Sequence, residues 1–123
     1  MTAALTNYPC RILVVDDDPV ICELMGIVLR REGFVVRLLN DQRQTLALVQ
    51  QERFDLMLLD ICTPCIDGLR VTRQIRALPC AVPIVGMTAI RWHICEGLQA
   101  GMNQVMVHPL TVSQIRDSVR SYV

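Results

Sequence analysis

Two groups of residues in this chain have the types and spacing for chemistry. One is a set of carboxylates. Asp16 and Asp17 sit in "RILVVDDD" and Asp60 closes "FDLMLLD", each at the end of an apolar run. The other is a pair of thiols, Cys62 and Cys65, which form C-x-x-C directly after Asp60 in "DICTPCIDG". Gathered carboxylates hold a hard divalent cation or act as nucleophiles. Paired thiols at this spacing exchange disulfides or contribute to zinc sites. Two further polar residues end apolar runs: Thr88 in "VPIVGMT" and His108 in "NQVMVHP".

The elements that must position these residues follow from periodicity. "RILVV" is short, β-branched and apolar throughout, the pattern of a strand buried on both faces. Asp18 reads as a helix N-cap with Pro19 at the first helical position. Ile21, Leu24, Met25 and Val28 follow at helical spacing, and Gly33 is a helix stop. "FVVRLL" is a second strand, and Asp41 starts a second helix running through Leu46 and Val49. "FDLMLLD" is a third strand, and "LRVTRQIRAL" a helix stopped by Pro79. "VPIVGMT" is a fourth strand, followed by a helix over "RWHICEGLQAG". "NQVMVHP" is the last strand, and "TVSQIRDSVRSY" a helix capped by Thr111. Strand and helix alternate five times. Strands joined through helices run parallel, with right-handed crossovers and helices on both faces. The fold class is therefore α/β, a doubly wound sheet. Residues 1–10 are a loosely held lead-in, and 11–123 form one domain.

In such a sheet, ligands bind beyond the carboxyl ends of the strands. Asp16, Asp17, Asp60, Thr88 and His108 all belong to that rim, whereas the second strand ends in Leu39 and Asn40 with nothing reactive. Two carboxylates about 4 Å apart at an effective dielectric near 20 repel by roughly 4 kcal/mol. A cluster of three is reasonable when a cation relieves it, and an all-oxygen donor set favours Mg2+ over zinc. The thiols are the weaker candidates. A reactive C-x-x-C starts at a helix N-terminus, which lowers the pKa of its first thiol. Here Asp67 and Gly68 intervene before the next helix, and the nearby carboxylates disfavour a thiolate. A zinc site from Cys62, Cys65, His93 and Cys95 is poorer still, because His93 and Cys95 lie two apart on a helix and face different ways. His93 reads as a solvated helix residue and Trp92 as an exposed or partner-facing ring.

Composition removes other classes. The chain has 123 residues and a formal net charge of zero, which argues against a general grip on nucleic acid or acidic membrane. Its basic residues are all arginine. No run reaches the roughly 20 apolar residues of a membrane span. The N-terminus lacks the basic start and apolar core of a signal peptide. The six cysteines, several within apolar periodic segments, fit reduced thiols in the cytoplasm. No G-x-G-x-x-G follows the first strand, so nucleotide-cofactor binding is disfavoured.

Four stretches together resemble the response-regulator receiver domain of two-component signalling. "ILVVDDDP", "DLMLLDICTPCIDG", "GMTA" and "AGMNQVMVHPL" match, in order, the family's acidic pair, phosphoacceptor strand and loop, switch threonine, and last strand with its cis-prolyl turn. The "GMTA…AGM" phrasing is most similar to receivers of hybrid sensor kinases and phosphorelays. The resemblance implies a (βα)5 flavodoxin-like fold with a five-stranded parallel sheet of order 2-1-3-4-5. It implies that Asp60 takes a phosphoryl group from a phosphohistidine. Asp17, Asp60 and the backbone carbonyl of Cys62 would hold Mg2+ directly, Asp16 through water. It makes Thr88 the switch residue, Val105 its partner position and His108-Pro109 the cis-prolyl turn. The implied partners are a histidine kinase or phosphotransfer protein, and a downstream protein or second copy at the face of the fourth helix, last strand and last helix. Neither direct nucleic-acid contact nor a membrane is expected. Nor is any enzyme activity beyond self-catalysed phosphorylation and dephosphorylation of the aspartate.

Two positions depart from the family pattern. His108 replaces a lysine, which supplies a permanent cation on a long stem. Histidine is shorter and, with a reference pKa of about 6.5, mostly neutral at pH 7. Slower phosphorylation that improves toward about pH 6 is the expectation, with Arg91 a candidate for the missing charge. Val105 replaces an aromatic ring, so the signal must travel through the loop and helix after Thr88 or not at all. Together these departures support an alternative function: a degenerate receiver that binds proteins without phosphorylation.

Overall fold

The computed structural model describes residues 9–61 and 67–123. Most of the expected lead-in, and the C-x-x-C loop with Cys62 and Cys65, lie outside the described residues. The Cys10 carbonyl, at the end of that lead-in, accepts the Val35 N–H (3.0 Å) just before β1 begins.

Among the described residues five strands form one parallel sheet: β1 (Arg11–Val15), β2 (Val35–Leu39), β3 (Leu56–Asp60), β4 (Ile84–Thr88) and β5 (Gln104–Val107), in the order β2-β1-β3-β4-β5. The connecting helices are α1 (Pro19–Arg31), α2 (Thr45–Gln51), α3 (Gly68–Arg76), α4 (His93–Ala100) and α5 (Val112–Arg120). The pleat explains the layers. Successive strand side chains point to opposite faces. Ile12, Val14, Leu56, Leu58, Val85 and Met87 pack on one side with Cys22, Met25 and Leu29 of α1 and Ile115 and Val119 of α5. Leu13, Val15, Met57, Leu59 and Ile84 pack on the other with Leu48 of α2 and Val71 and Ile75 of α3. Every position of β1 after Arg11 is buried, as its unbroken apolar run requires.

The helix ends follow local chemistry. The Asp18 carboxylate accepts the Val20 N–H (2.9 Å), and Pro19 opens α1. Gly33 has φ +92°, a left-handed conformation that residues with a Cβ rarely adopt, and it turns the chain from α1 into β2. Thr111 and Gln114 form a reciprocal capping box on α5. Two elements start later than expected. Asp41 caps a short 3-10 turn, Gln42–Gln44, and α2 follows from Thr45. Arg91 and Trp92 form a turn, so α4 begins at His93.

Candidate functional site

The parallel order puts β1 and β3 side by side, with Val15 opposite Leu59. The residues that continue those strands therefore meet at one rim. Carboxylate oxygens of Asp16, Asp17 and Asp60 lie within 4.8 Å of one another. Asp16 is buried; Asp17 and Asp60 are partly exposed. The backbone around Asp16 is held from three directions. Its N–H donates to the Leu39 carbonyl (3.1 Å), the Asn40 side-chain amide donates to its carbonyl (3.0 Å), and the Cys22 thiol lies 3.4 Å from that same oxygen. Its carboxylate accepts the Asp18 N–H (2.9 Å). Asn40, dismissed on sequence as unreactive, thus helps to position an acidic residue. The C-terminal end of β2, one strand away from β1, was the available signal.

Burial pushes the Asp16 carboxyl above the ordinary carboxylate range. The Asp18 N–H opposes the rise, and the charge of Asp17 adds to it. Burial, with the Asp16 charge behind it, also pushes the Cys22 thiol up to about 11. Cys22 is therefore a packed, unreactive thiol beside the site. The donor set is three clustered carboxylates, which suits a hard cation such as Mg2+. Cys62, whose backbone carbonyl was expected among the ligands, lies outside the described residues.

The neighbouring strand carries the second part of the site. Asp60 is opposite Met87, so Thr88 stands one residue further along β4. The His108 N–H donates to the Thr88 carbonyl (2.7 Å), which places position 108 beside Thr88. The His108–Pro109 peptide is cis. Val105 is half-buried on β5 opposite Gly86. Arg91 is exposed on the turn before α4.

One expectation is corrected here. His93 is no solvated residue: it is 8 % exposed, and its Nδ1 lies 2.7 Å from the Thr88 hydroxyl oxygen. It shares the inner stripe of α4 with Gly97 and Ala100, both buried. That i, i+4, i+7 spacing was the sequence signal for its burial. Trp92, next to it, is 72 % exposed.

Comparison with known proteins agrees with this geometry. The family model of the response regulator receiver domain matches residues 12–120. The chain belongs to that family. This receiver is 40 % identical over 113 residues to the DNA-binding response regulator MtrA of Mycolicibacterium smegmatis, a match covering 90 % of the chain and 49 % of that protein. It is 36 % identical over 116 residues to the response regulator MprA of Mycolicibacterium vanbaalenii, covering 92 % and 50 %. The receiver thus spans about half the length of these relatives. Among solved structures, the receiver domain of the sensor histidine kinase PA1611 from Pseudomonas aeruginosa PAO1 is 31 % identical with a TM-score of 0.84, covering 94 % of this chain and 98 % of that one. That protein was solved with a magnesium ion coordinated in its active-site cleft.

The relatives overturn the expectation of no direct nucleic-acid contact. MtrA is a DNA-binding response regulator, and about half of it lies beyond the matched region. The neutral charge of this receiver reports only on the receiver's own surface, because DNA contact in a two-part protein can belong to the other part. Among the described residues no helix is long and apolar enough to cross a membrane.

Proposed function

We propose that this receiver is a working phosphoacceptor, with Asp60 as the nucleophile. The observation that carries this reading is the convergence of Asp16, Asp17 and Asp60 at the rim, one strand from Thr88. A partly exposed carboxylate can attack phosphorus. An Asp60 oxygen forms the new P–O bond while the P–N bond of a phosphohistidine breaks; the leaving imidazole nitrogen keeps the electron pair. Asp16 and Asp17, with Asp60, are the residues that would hold Mg2+, and the cation supplies charge compensation on the phosphoryl oxygens. Asp16, held through its backbone by Leu39 and Asn40, keeps the acidic pair in place. Thr88 donates its hydroxyl to the phosphoryl group once it is bound. In a longer protein resembling MtrA, this cytoplasmic switch would govern a DNA-contacting region.

The test is intact-protein mass after incubation with a small acyl phosphate, with and without Mg2+, beside Asp60→Asn. One added phosphoryl group that needs both the cation and Asp60 is expected. The absence of any adduct would favour the phosphorylation-independent binding module that His108 and Val105 suggest.

Position 108 sets the rate in this reading. His108→Lys places a permanent cation beside Thr88, and labelling near pH 7 should speed up on the order of tenfold. Equal labelling rates in wild type and His108→Lys would remove His108 from the phosphoryl site.

A further inference from the structure

The Thr88 hydroxyl is already engaged. It accepts the Ile90 N–H (3.1 Å) and lies 2.7 Å from His93 Nδ1, and both side chains are buried. A threonine hydroxyl has one proton to donate. With Nδ1 bare, that proton is committed to His93 and cannot also reach a phosphoryl oxygen on Asp60. His93 is in turn the first residue of α4, whose N-cap, Trp92, makes no side-chain capping bond. The first turn of α4 is therefore tied to the end of β4 by this side-chain contact and by local turn bonds such as His93 N–H to the Ile90 carbonyl (3.1 Å).

The rest of α4 is pressed onto β5. A Cβ at Gly97 would lie 2.6 Å from Val105 Cγ2 and 3.0 Å from Met102 Sδ, so helix and strand are already at their closest approach. A change at the first turn of α4 is thus applied to a tightly packed helix, with Val105 beneath it instead of an aromatic ring.

We propose that the Thr88–His93 hydrogen bond is the latch of this switch, with His93 the positioning residue that holds the Thr88 proton away from the phosphoryl site and ties α4 to β4. The proposal rests on the phosphoacceptor reading above. When the phosphoryl oxygen takes the Thr88 proton, Nδ1 of His93 loses its donor inside the protein. A buried polar atom left without a partner is costly, so the first turn of α4 moves until His93 finds water or another donor. Trp92, exposed beside it, moves with that turn. The coupling thus runs from threonine to helix through one imidazole, without an aromatic residue at position 105.

The experiment has two arms on the full chain. In the first, 15N spectra of the histidine rings without ligand should show a bare, hydrogen-bonded Nδ1 on His93 that changes in Thr88→Val. A protonated Nδ1, or no change in Thr88→Val, overturns the latch. In the second, beryllium fluoride with Mg2+ is titrated by calorimetry while amide exchange in α4 is followed. Wild type should bind and lose protection in the first turn of α4. His93→Leu should bind about fivefold more tightly, the factor for one competing hydrogen bond, with that turn already unprotected. His93→Asn, whose amide oxygen can accept the same proton, should restore wild-type behaviour. Wild-type affinity and a wild-type α4 response in His93→Leu would overturn the latch while leaving the phosphoacceptor intact. Failure of wild type to bind would instead sink the phosphoacceptor reading and the latch's role with it, whatever the ring spectra show. Should His93→Leu not fold, Thr88→Val breaks the same bond from the other side. Its α4 should exchange fast without ligand, and retained protection would overturn the latch.

Discussion

Gly68→Ala should lose both stability and phosphoacceptor function. Gly68 opens α3, and its N–H donates to the Ile61 carbonyl (2.8 Å) at the end of β3. A Cβ there would lie 2.3 Å from the Asp60 carbonyl oxygen and 2.7 Å from Ile61 Cα. Both are backbone atoms, so no side chain can rotate out of the way. Either α3 lifts from the sheet or the strand end that carries Asp60 shifts. Overpacking against backbone costs about 3 kcal/mol, and a chain of this length then melts about 10 °C lower. A nucleophile displaced by about 1 Å can lose about a hundredfold in rate, so labelling of Asp60 should fall by that order. Gly33→Ala is the control. Its φ of +92° makes alanine strained, but a Cβ there meets nothing within 4 Å. It should lower melting by a few degrees, about 1 kcal/mol, and leave labelling alone. If Gly68→Ala melts and labels like wild type, the close approach of α3 to β3 has no such role.

Asp16→Asn should act in the opposite direction on stability, by an amount that depends on pH and on Mg2+. Burial raises the Asp16 carboxyl above its ordinary range. The folded protein therefore binds a proton there more readily than the unfolded chain does. By linkage, stability falls as pH rises through that interval, and the full penalty is present above the raised folded-state pKa. Asparagine keeps an acceptor for the Asp18 N–H and carries no charge. Without metal, Asp16→Asn should therefore be more stable than wild type at pH 7, by roughly 1–2 kcal/mol once Coulomb repulsion is discounted for screening. That is a melting point several degrees higher. The advantage should shrink as pH falls through the raised folded-state pKa of Asp16, and should be gone below the ordinary carboxylate range of about 4. Adding Mg2+ at neutral pH should stabilise wild type more than the variant, because one of three clustered charges is gone. Melting curves at two pH values with and without Mg2+ read all of this. Equal metal-free stability at pH 7 would mean that the acidic cluster is not under strain.

Much of the fold was legible in the chain because it is encoded locally. Five apolar runs alternate with helical periodicity, and the sheet has the order that the receiver resemblance implied. Asp18, Gly33 and Thr111 marked helix ends by chemistry confined to a few neighbouring residues. The start of α4 was less legible. Arg91 and Trp92 have no strong helix-stop character, and the turn they form depends on where α4 docks. His93 was misread for the same reason. Its spacing to Gly97 and Ala100 marked the buried face of α4, but its partner, the Thr88 hydroxyl, stands on another element and could not be read from spacing. The role of Asn40 was hidden because its partner, Asp16, is far away in sequence.

By itself, the sequence determined which residues end the strands and that the strands run parallel. That placed Asp16, Asp17, Asp60, Thr88 and His108 at one rim, because a parallel sheet brings all its carboxyl ends to the same side. The tertiary structure alone decided the spacings. It drew three carboxylates to within 4.8 Å, laid the first residue of α3 against the backbone of Asp60, and brought His93 Nδ1 to 2.7 Å from the Thr88 hydroxyl. Periodicity reports which face of an element is buried. Contacts between atoms of different elements depend on how those elements dock, and docking is a property of the whole packed core.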